Sequence, residues 1–303
     1  MEIGANDIKE IVVISGKGGT GKTSIAASFG YLGGDDVILA DCDVDAADLH
    51  LLLKPDFAYS EDFYSGELAF IDSDKCTSCG ECAEVCRFDA ITLGNGSYAV
   101  DALNCEGCGY CTRICPASAI SNIKQQVGRF YISSTRTGAN MVHARLNIGA
   151  DNSGKLVAKV KNEAKRLAAM HGRKTIIIDG SPGVGCPVVS SLSGADLAVM
   201  VTEPTKAGLH DLKRIYELVQ KFRIKAGCII NKYDLNPEMT KQIRTFLHEK
   251  NIRELGAFPY DEKFTMAINQ AKTIVEYDRS GLGRLIRACR ETMYLMINEK
   301  QML

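Results

Sequence analysis

IVVISGKGGTGKTS, residues 11–24, is the stretch that decides the fold. Its first four residues are a continuous apolar and β-branched run, the signature of a strand buried on both faces. A glycine-rich loop follows, and then IAASFGYL at 25–32, which reads as the start of a helix. A strand, a glycine-rich loop and a helix N-terminus together turn backbone N–H groups toward phosphate oxygens, and the helix dipole adds a favourable field. Gly16, Lys17, Gly18, Gly19, Thr20, Gly21, Lys22, Thr23 and Ser24 are therefore the candidate nucleotide contacts. Lys22 would reach the β- and γ-phosphates, and the Thr23 hydroxyl would bind Mg2+.

Outward from this loop, short apolar runs at 37–40, 175–179, 197–202, 226–231 and 255–259 alternate with longer amphipathic stretches. That alternation predicts an α/β fold, a mostly parallel sheet with helices on both faces. Leu209, Leu212, Ile215, Leu218, Val219 and Phe222 recur at helical spacing, which predicts a core-facing stripe. In ILADCDVD, Asp41 and Asp43 stand at the carboxyl end of the second strand, where open α/β sheets hold their ligands. TIIIDGSPG delivers Asp179 from another strand toward Mg2+, with glycines that let the loop move. Aspartates at such strand ends can instead cap helices.

From about residue 66 to 121 the texture changes to short strands, glycines and dense cysteine. Eight acidic and three basic residues between Glu67 and Ser121 give this segment a charge of −5, in a chain whose 36 basic and 37 acidic residues sum to −1. Strand patterns on both sides make it an insertion. The expected organisation is a nucleotide domain at 1–65 and 122–303 interrupted by a small α+β domain at 66–121.

CTSCGECAEVC and CEGCGYCTRICP each have the spacing CxxCxxCxxxC. In two-cluster ferredoxins that spacing wraps three thiolates around one 4Fe-4S cluster while the fourth reaches the other. The assignment is Cys76, Cys79, Cys82 and Cys115 to the first cluster, and Cys86, Cys105, Cys108 and Cys111 to the second. Paired zinc sites are the competing metal reading, but zinc has no use for a third cysteine at this offset. The first run ends CRF where the ferredoxin pattern has CP, which places Arg87 beside Cys86. A basic docking face on a redox partner is expected for so acidic a segment. Of the remaining cysteines, Cys42, Cys228 and Cys289 read as core, and Cys186 as a small buried thiol beside the 179–183 loop. The alternative, implied by a resemblance of DGSPGVGC to the nitrogenase iron protein, is a third cluster shared between subunits, for which no second cysteine matches.

With Lys17 added, KGGTGKT resembles the deviant Walker A loop of the MinD, ParA, Mrp and nitrogenase iron-protein group, and the whole chain resembles MinD-superfamily P-loop ATPases carrying an inserted ferredoxin domain. The resemblance implies ATP as the nucleotide and an ATP-dependent homodimer in which Lys17 reaches the facing subunit. It also implies a water-positioning role for Asp43, a place for Asp41 near the Mg2+ shell, and catalytic roles for Lys17, Lys22 and Asp43. Asn231 in CIINKYD resembles the purine-contact asparagine, with Pro259 and Asp261 of FPYD nearby. NKYD is also similar to the guanine-reading NKxD of GTPases, but the deviant loop is the more specific signal and favours ATP.

The implied activity is ATP hydrolysis coupled through a dimer switch to electron transfer by two 4Fe-4S clusters. The alternatives are an Mrp-like cluster carrier and a MinD- or ParA-like organiser of cell space. The polar start MEIGANDIKE carries no export signal and no run of eighteen apolar residues follows, so a cytoplasmic protein is expected. Near-zero net charge and a mixed-charge tail, GRLIRACRETMYLMINEK, make nucleic-acid and membrane association unexpected.

Overall fold

The computed structural model describes residues 8–94 and 96–299. Seven strands lie parallel in one sheet: β11 (Arg253–Phe258), β10 (Lys225–Asn231), β9 (Leu197–Thr202), β1 (Lys9–Ser15), β8 (Thr175–Asp179), β2 (Val37–Asp41) and β7 (Asn140–Leu146), in that spatial order. β6 (Ile120–Ser134) and β3 (Tyr59–Ile71) continue the hydrogen-bonded order beyond β7. The sequence patterning does not anticipate β7, because Asn140, His143 and Arg145 interrupt its apolar run.

β1, β2, β8 and β9 are buried along nearly their whole length, as continuous apolar strands must be when helices cover both faces. Register carries a functional consequence. Asp41 of β2 pairs with Asp179 of β8, and on its other side with His143 of β7, so the ends of these strands are level.

The covering helices are α1 (Lys22–Gly33), α5 (Ser153–Met170), α6 (Cys186–Leu192), α7 (Lys206–Lys221), α8 (Pro237–Glu249) and α11 (Leu282–Asn298), with the short α2 (Leu49–Leu53), α9 (Lys263–Asn269) and α10 (Ile274–Tyr277) between them. The stripe expected on α7 is inward: Leu212, Ile215 and Val219 are buried, joined by Tyr216. α11, from the tail read as a packed terminal helix, buries Ile286, Cys289, Met293 and Ile297 in the core shared with Phe29, Leu39 and Phe258. Burying each such side chain is worth about 1.5–3 kcal/mol. None of the described helices is long and apolar enough to cross a membrane. The first seven residues and the last residue quoted of the tail, Lys300, lie outside the described residues.

By compactness the chain divides into a larger unit (1–61, 129–146 and 153–303) and a smaller one (62–128 with 147–152). These limits lie outside the composition change at 66–121 because β3 and β6 each carry residues of both units, so compactness shifts before texture does. The smaller unit also takes in 147–152, which sequence texture does not mark.

Inside the smaller unit the cysteine runs belong to a longer repeat. α3 (Glu81–Glu84) follows the first run's loop as α4 (Tyr110–Ile114) follows the second's. Left-handed residues recur in step: Ser78 and Gly107, Gly80 and Gly109, Asp89 and Ser118. The hydrogen bonds cross between copies, Asp72 N donating to Ala119 O and Asp101 N to Ala90 O, the pattern of two copies related by an approximate two-fold axis. β4 (Ile91–Leu93) and β5 (Tyr98–Val100) form a two-stranded antiparallel sheet. Ala69, Cys82, Ile91, Cys111 and Ile120 make the core.

Candidate functional site

The loop between β1 and α1 is shaped by two close approaches. A Cβ on Gly16 would lie 2.2 Å from Asp211 Cβ of α7, and Gly21, with φ of 90°, has Asn231 Nδ2 2.5 Å from where a Cβ would stand. α1 begins at Lys22 with no side-chain cap and no acidic residue in its first turn. Its first N–H groups thus need acceptors from outside the helix, as an anion site requires.

Lys22 is the hub. Its buried Nζ lies 2.7 Å from Asp179 Oδ1, 3.3 Å from Asp43 Oδ2 and 3.4 Å from Thr23 Oγ1. Burial opposes the ammonium charge, but Asp179 and Asp43 outweigh it and raise the Lys22 pKa above its ordinary value. Burial in turn lifts Asp43 above the usual carboxylate range against the pull of Lys22. It lifts Asp41 further, with Asp179 adding to the effect.

Asp41 faces the backbone. Its Oδ1 accepts from Asp43 N at 3.1 Å and its Oδ2 from Leu49 N at 3.3 Å, so this carboxylate ties the 42–48 loop to its strand, the capping geometry open to strand-end aspartates. Asp179 is different: its Oδ2 is buried without any hydrogen-bond partner among the described residues. A bare carboxylate oxygen on a residue that Lys22 Nζ links to Asp43 and Thr23 fits a divalent cation, which satisfies the lone pair that burial leaves unmet. The 180–183 loop is pinned at its root: Gly180 N donates to Val13 O, Gly183 N to Ser15 O, and Ser181 Oγ to Cys42 O.

Lys17 points along the rim, 2.5 Å from Glu203 Oε1, and Lys232 holds the other oxygen at 2.9 Å. Burial works against the Glu203 charge, yet these two cations keep its pKa below the ordinary value. Sequence reasoning missed Glu203. It is one residue past β9, at the strand-end position that marks Asp41 and Asp179.

Asn231, the expected base contact, sits beneath the loop. Its Nδ2 donates to Thr20 O at 2.8 Å and its Oδ1 accepts from Lys232 N at 3.0 Å, so both ends of the amide hold backbone. Pro259 and Asp261 lie in the next loop, which joins Asn231's segment through Tyr260 N donating to Asp234 Oδ1 and Tyr233 N to Phe258 O.

In the smaller unit, Cys76, Cys79, Cys82 and Cys115 line one pocket with Tyr98 and Pro116. Cys115 comes from the other copy of the repeat. Burial raises the Cys82 thiol pKa and, with Cys105 and Cys108 contributing, that of Cys111; Tyr98 and Ser78 backbone groups lower that of Cys76. Among the described residues no group of three or more His, Cys, Asp or Glu converges as a single-ion site. All twelve cysteines are free. Cys42, Cys228 and Cys289 are buried, but Cys186 is exposed at the first position of α6, which corrects the expectation of a buried thiol: the helix begins in a surface loop there.

Comparison with known proteins agrees with this geometry. An uncharacterized protein of Methanocaldococcus jannaschii is 39% identical over 232 residues, 76% of this chain and 80% of that protein. A second from the same organism is 29% identical over 275 residues, 88% and 92% of the two chains. Among solved structures, the cell division ATPase MinD of Pyrococcus furiosus superposes with a TM-score of 0.56 at 18% identity, covering 95% of this chain and 98% of that one. The septum site-determining protein MinD of Pyrococcus horikoshii, complexed with Mg-ADP, gives the same score and identity over 95% and 97%. A model of the CobQ/CobB/MinD/ParA nucleotide-binding domain matches residues 11–274, and the chain belongs to that family.

Proposed function

We propose that this protein binds and hydrolyses ATP, and that its nucleotide-dependent dimer switch controls electron transfer through two 4Fe-4S clusters held by the smaller unit. The observation that carries the redox half is the pocket joining Cys76, Cys79 and Cys82 to Cys115, since a fourth ligand borrowed from the other repeat is how two-cluster ferredoxins are built. Approximate two-fold symmetry extends the same arrangement to Cys105, Cys108, Cys111 and Cys86. Eight soft thiolates suit iron–sulfur ligation. Such clusters supply one-electron redox capacity when bound.

On the nucleotide side, the N–H groups at the start of α1 receive the phosphates, and Lys22 moves its charge from Asp179 onto them. Asp179 and Thr23 would hold a Mg2+ ion, which would supply charge neutralisation at the phosphates, and Asp43 would orient the attacking water. Lys17 must leave Glu203 to reach a facing subunit. Asp43 and Asp179 belong to segments that lie on either side of the insertion in sequence, which supports coupling between nucleotide state and redox state.

The test is anaerobic. Reconstituted protein should hold about eight irons per chain, and its reduction potential or electron-transfer rate should differ between ADP and a nonhydrolysable ATP analogue. Iron content near zero sinks the cluster assignment, and identical redox behaviour in both nucleotide states sinks the coupling. A second reading, a spatial organiser, draws on the fold shared with MinD structures. ATP-dependent co-sedimentation with liposomes or DNA would favour it.

A further inference from the structure

At the start of β2 and β8, the end of the strands opposite the phosphate loop, lies a second charged cleft. It is open to solvent and holds about 870 Å³ of space, including that open to solvent. Arg173, Lys174 and Arg290 line it with Tyr294, and Asp36 is its one acidic lining residue. The five-residue strands put it roughly 13 Å from the carboxylates at their other ends.

Two features set this cleft apart from a solvated basic patch. The Nε atoms of both Arg173 and Arg290 are buried with no hydrogen-bond partner among the described residues. A desolvated guanidinium N–H without an acceptor is costly, and each of these is a donor that the described residues leave unmet. In addition, the Arg290 guanidinium lies over the Tyr294 ring, 4.8 Å from its centroid. Stacking fixes the guanidinium plane and leaves its N–H edge for an in-plane oxygen. None of the three cations has an ion pair among the described residues.

We propose that this cleft is a second binding site, for an oxyanion of the phosphate class, distinct from the nucleotide loop. Two forked guanidinium donors match the paired oxygens of a phosphate, and Lys174 adds a point charge at the mouth.

The experiment fills the nucleotide loop first. Protein saturated with Mg-ADP is titrated calorimetrically, at physiological ionic strength, with inorganic phosphate and with phenyl phosphate, and is sedimented with phosphatidic-acid vesicles. One saturable site per chain is expected in at least one arm. Tighter phenyl phosphate points to a soluble phosphoester, and retention on vesicles alone points to a lipid headgroup. Arg173→Gln and Arg290→Gln should each weaken that binding at least tenfold while ADP affinity stays unchanged. Should either variant fail to fold, the exposed Lys174→Gln decides, with a several-fold loss expected. Absence of saturable binding in all three arms overturns the proposal. So does binding that the substitutions leave unchanged, in which case the cations serve only the carboxyl end of α5.

Discussion

At Lys22 a buried ion-pair network and the proposed chemistry meet in one side chain. Replacing it with Met leaves Asp43 and Asp179 facing each other in a buried site, so the free protein should lose about 3–5 kcal/mol, measurable by urea denaturation, together with ATP hydrolysis. Acidification should return part of that stability, since protonation removes the unpaired charge. His143 has the opposite sign. Burial, reinforced by His50, lowers its pKa to about 4, and its Nε2 lies 3.0 Å from Ser133 Oγ. The folded state therefore binds fewer protons than the unfolded state between pH 6.5 and 4, and stability falls as pH falls through that window. The loss at this position should be about 3 kcal/mol. The difference in unfolding free energy between the protein and His143→Phe, followed against pH, isolates it; a flat difference would contradict the assignment.

Neighbouring elements are held together at a few defined contacts. α7 approaches the phosphate loop so closely that Gly16→Ala must displace one of them, and ATP affinity should fall at least about tenfold with about 1–3 kcal/mol of stability. Titration of a fluorescent ATP analogue reads the first quantity, and thermal denaturation the second. α10 is latched twice by Glu276, which closes a capping box with Thr273 and takes both guanidinium nitrogens of Arg136 at 2.7 Å. Thr273→Ala should cost about 1 kcal/mol.

For the whole molecule, the proposed crosswise ligation makes a pairing prediction. Cys115→Ser and Cys76→Ser, 39 positions apart in sequence, should disturb the same cluster and give matching electron paramagnetic resonance spectra, while Cys86→Ser disturbs the other. Paired effects within each run instead would overturn the arrangement. The Lys17–Glu203 pair makes a prediction for assembly. Glu203→Gln frees Lys17 from its own subunit and should shift sedimentation with a nonhydrolysable ATP analogue toward dimer, and Lys17→Gln toward monomer.

Much of this was legible along the chain. The strand, loop and helix of residues 11–33 and most strands of the parallel sheet rest on local needs: a buried strand must be apolar and a tight loop must have glycine. The change of texture at 66–121 is visible for the same reason, since composition is a property of the chain. What only the tertiary structure decided depends on register and on contacts between distant segments. Strand alignment, not proximity in sequence, brings Asp41 level with Asp179 and puts Lys22 between Asp43 and a carboxylate 157 positions away. Folding turned both ends of Asn231's amide onto backbone, brought Cys115 to the first three cysteines, exposed Cys186 and gathered Arg173 with Arg290. Each of these is a long-range pairing, and sequence periodicity reports which face of an element is buried without reporting what it meets.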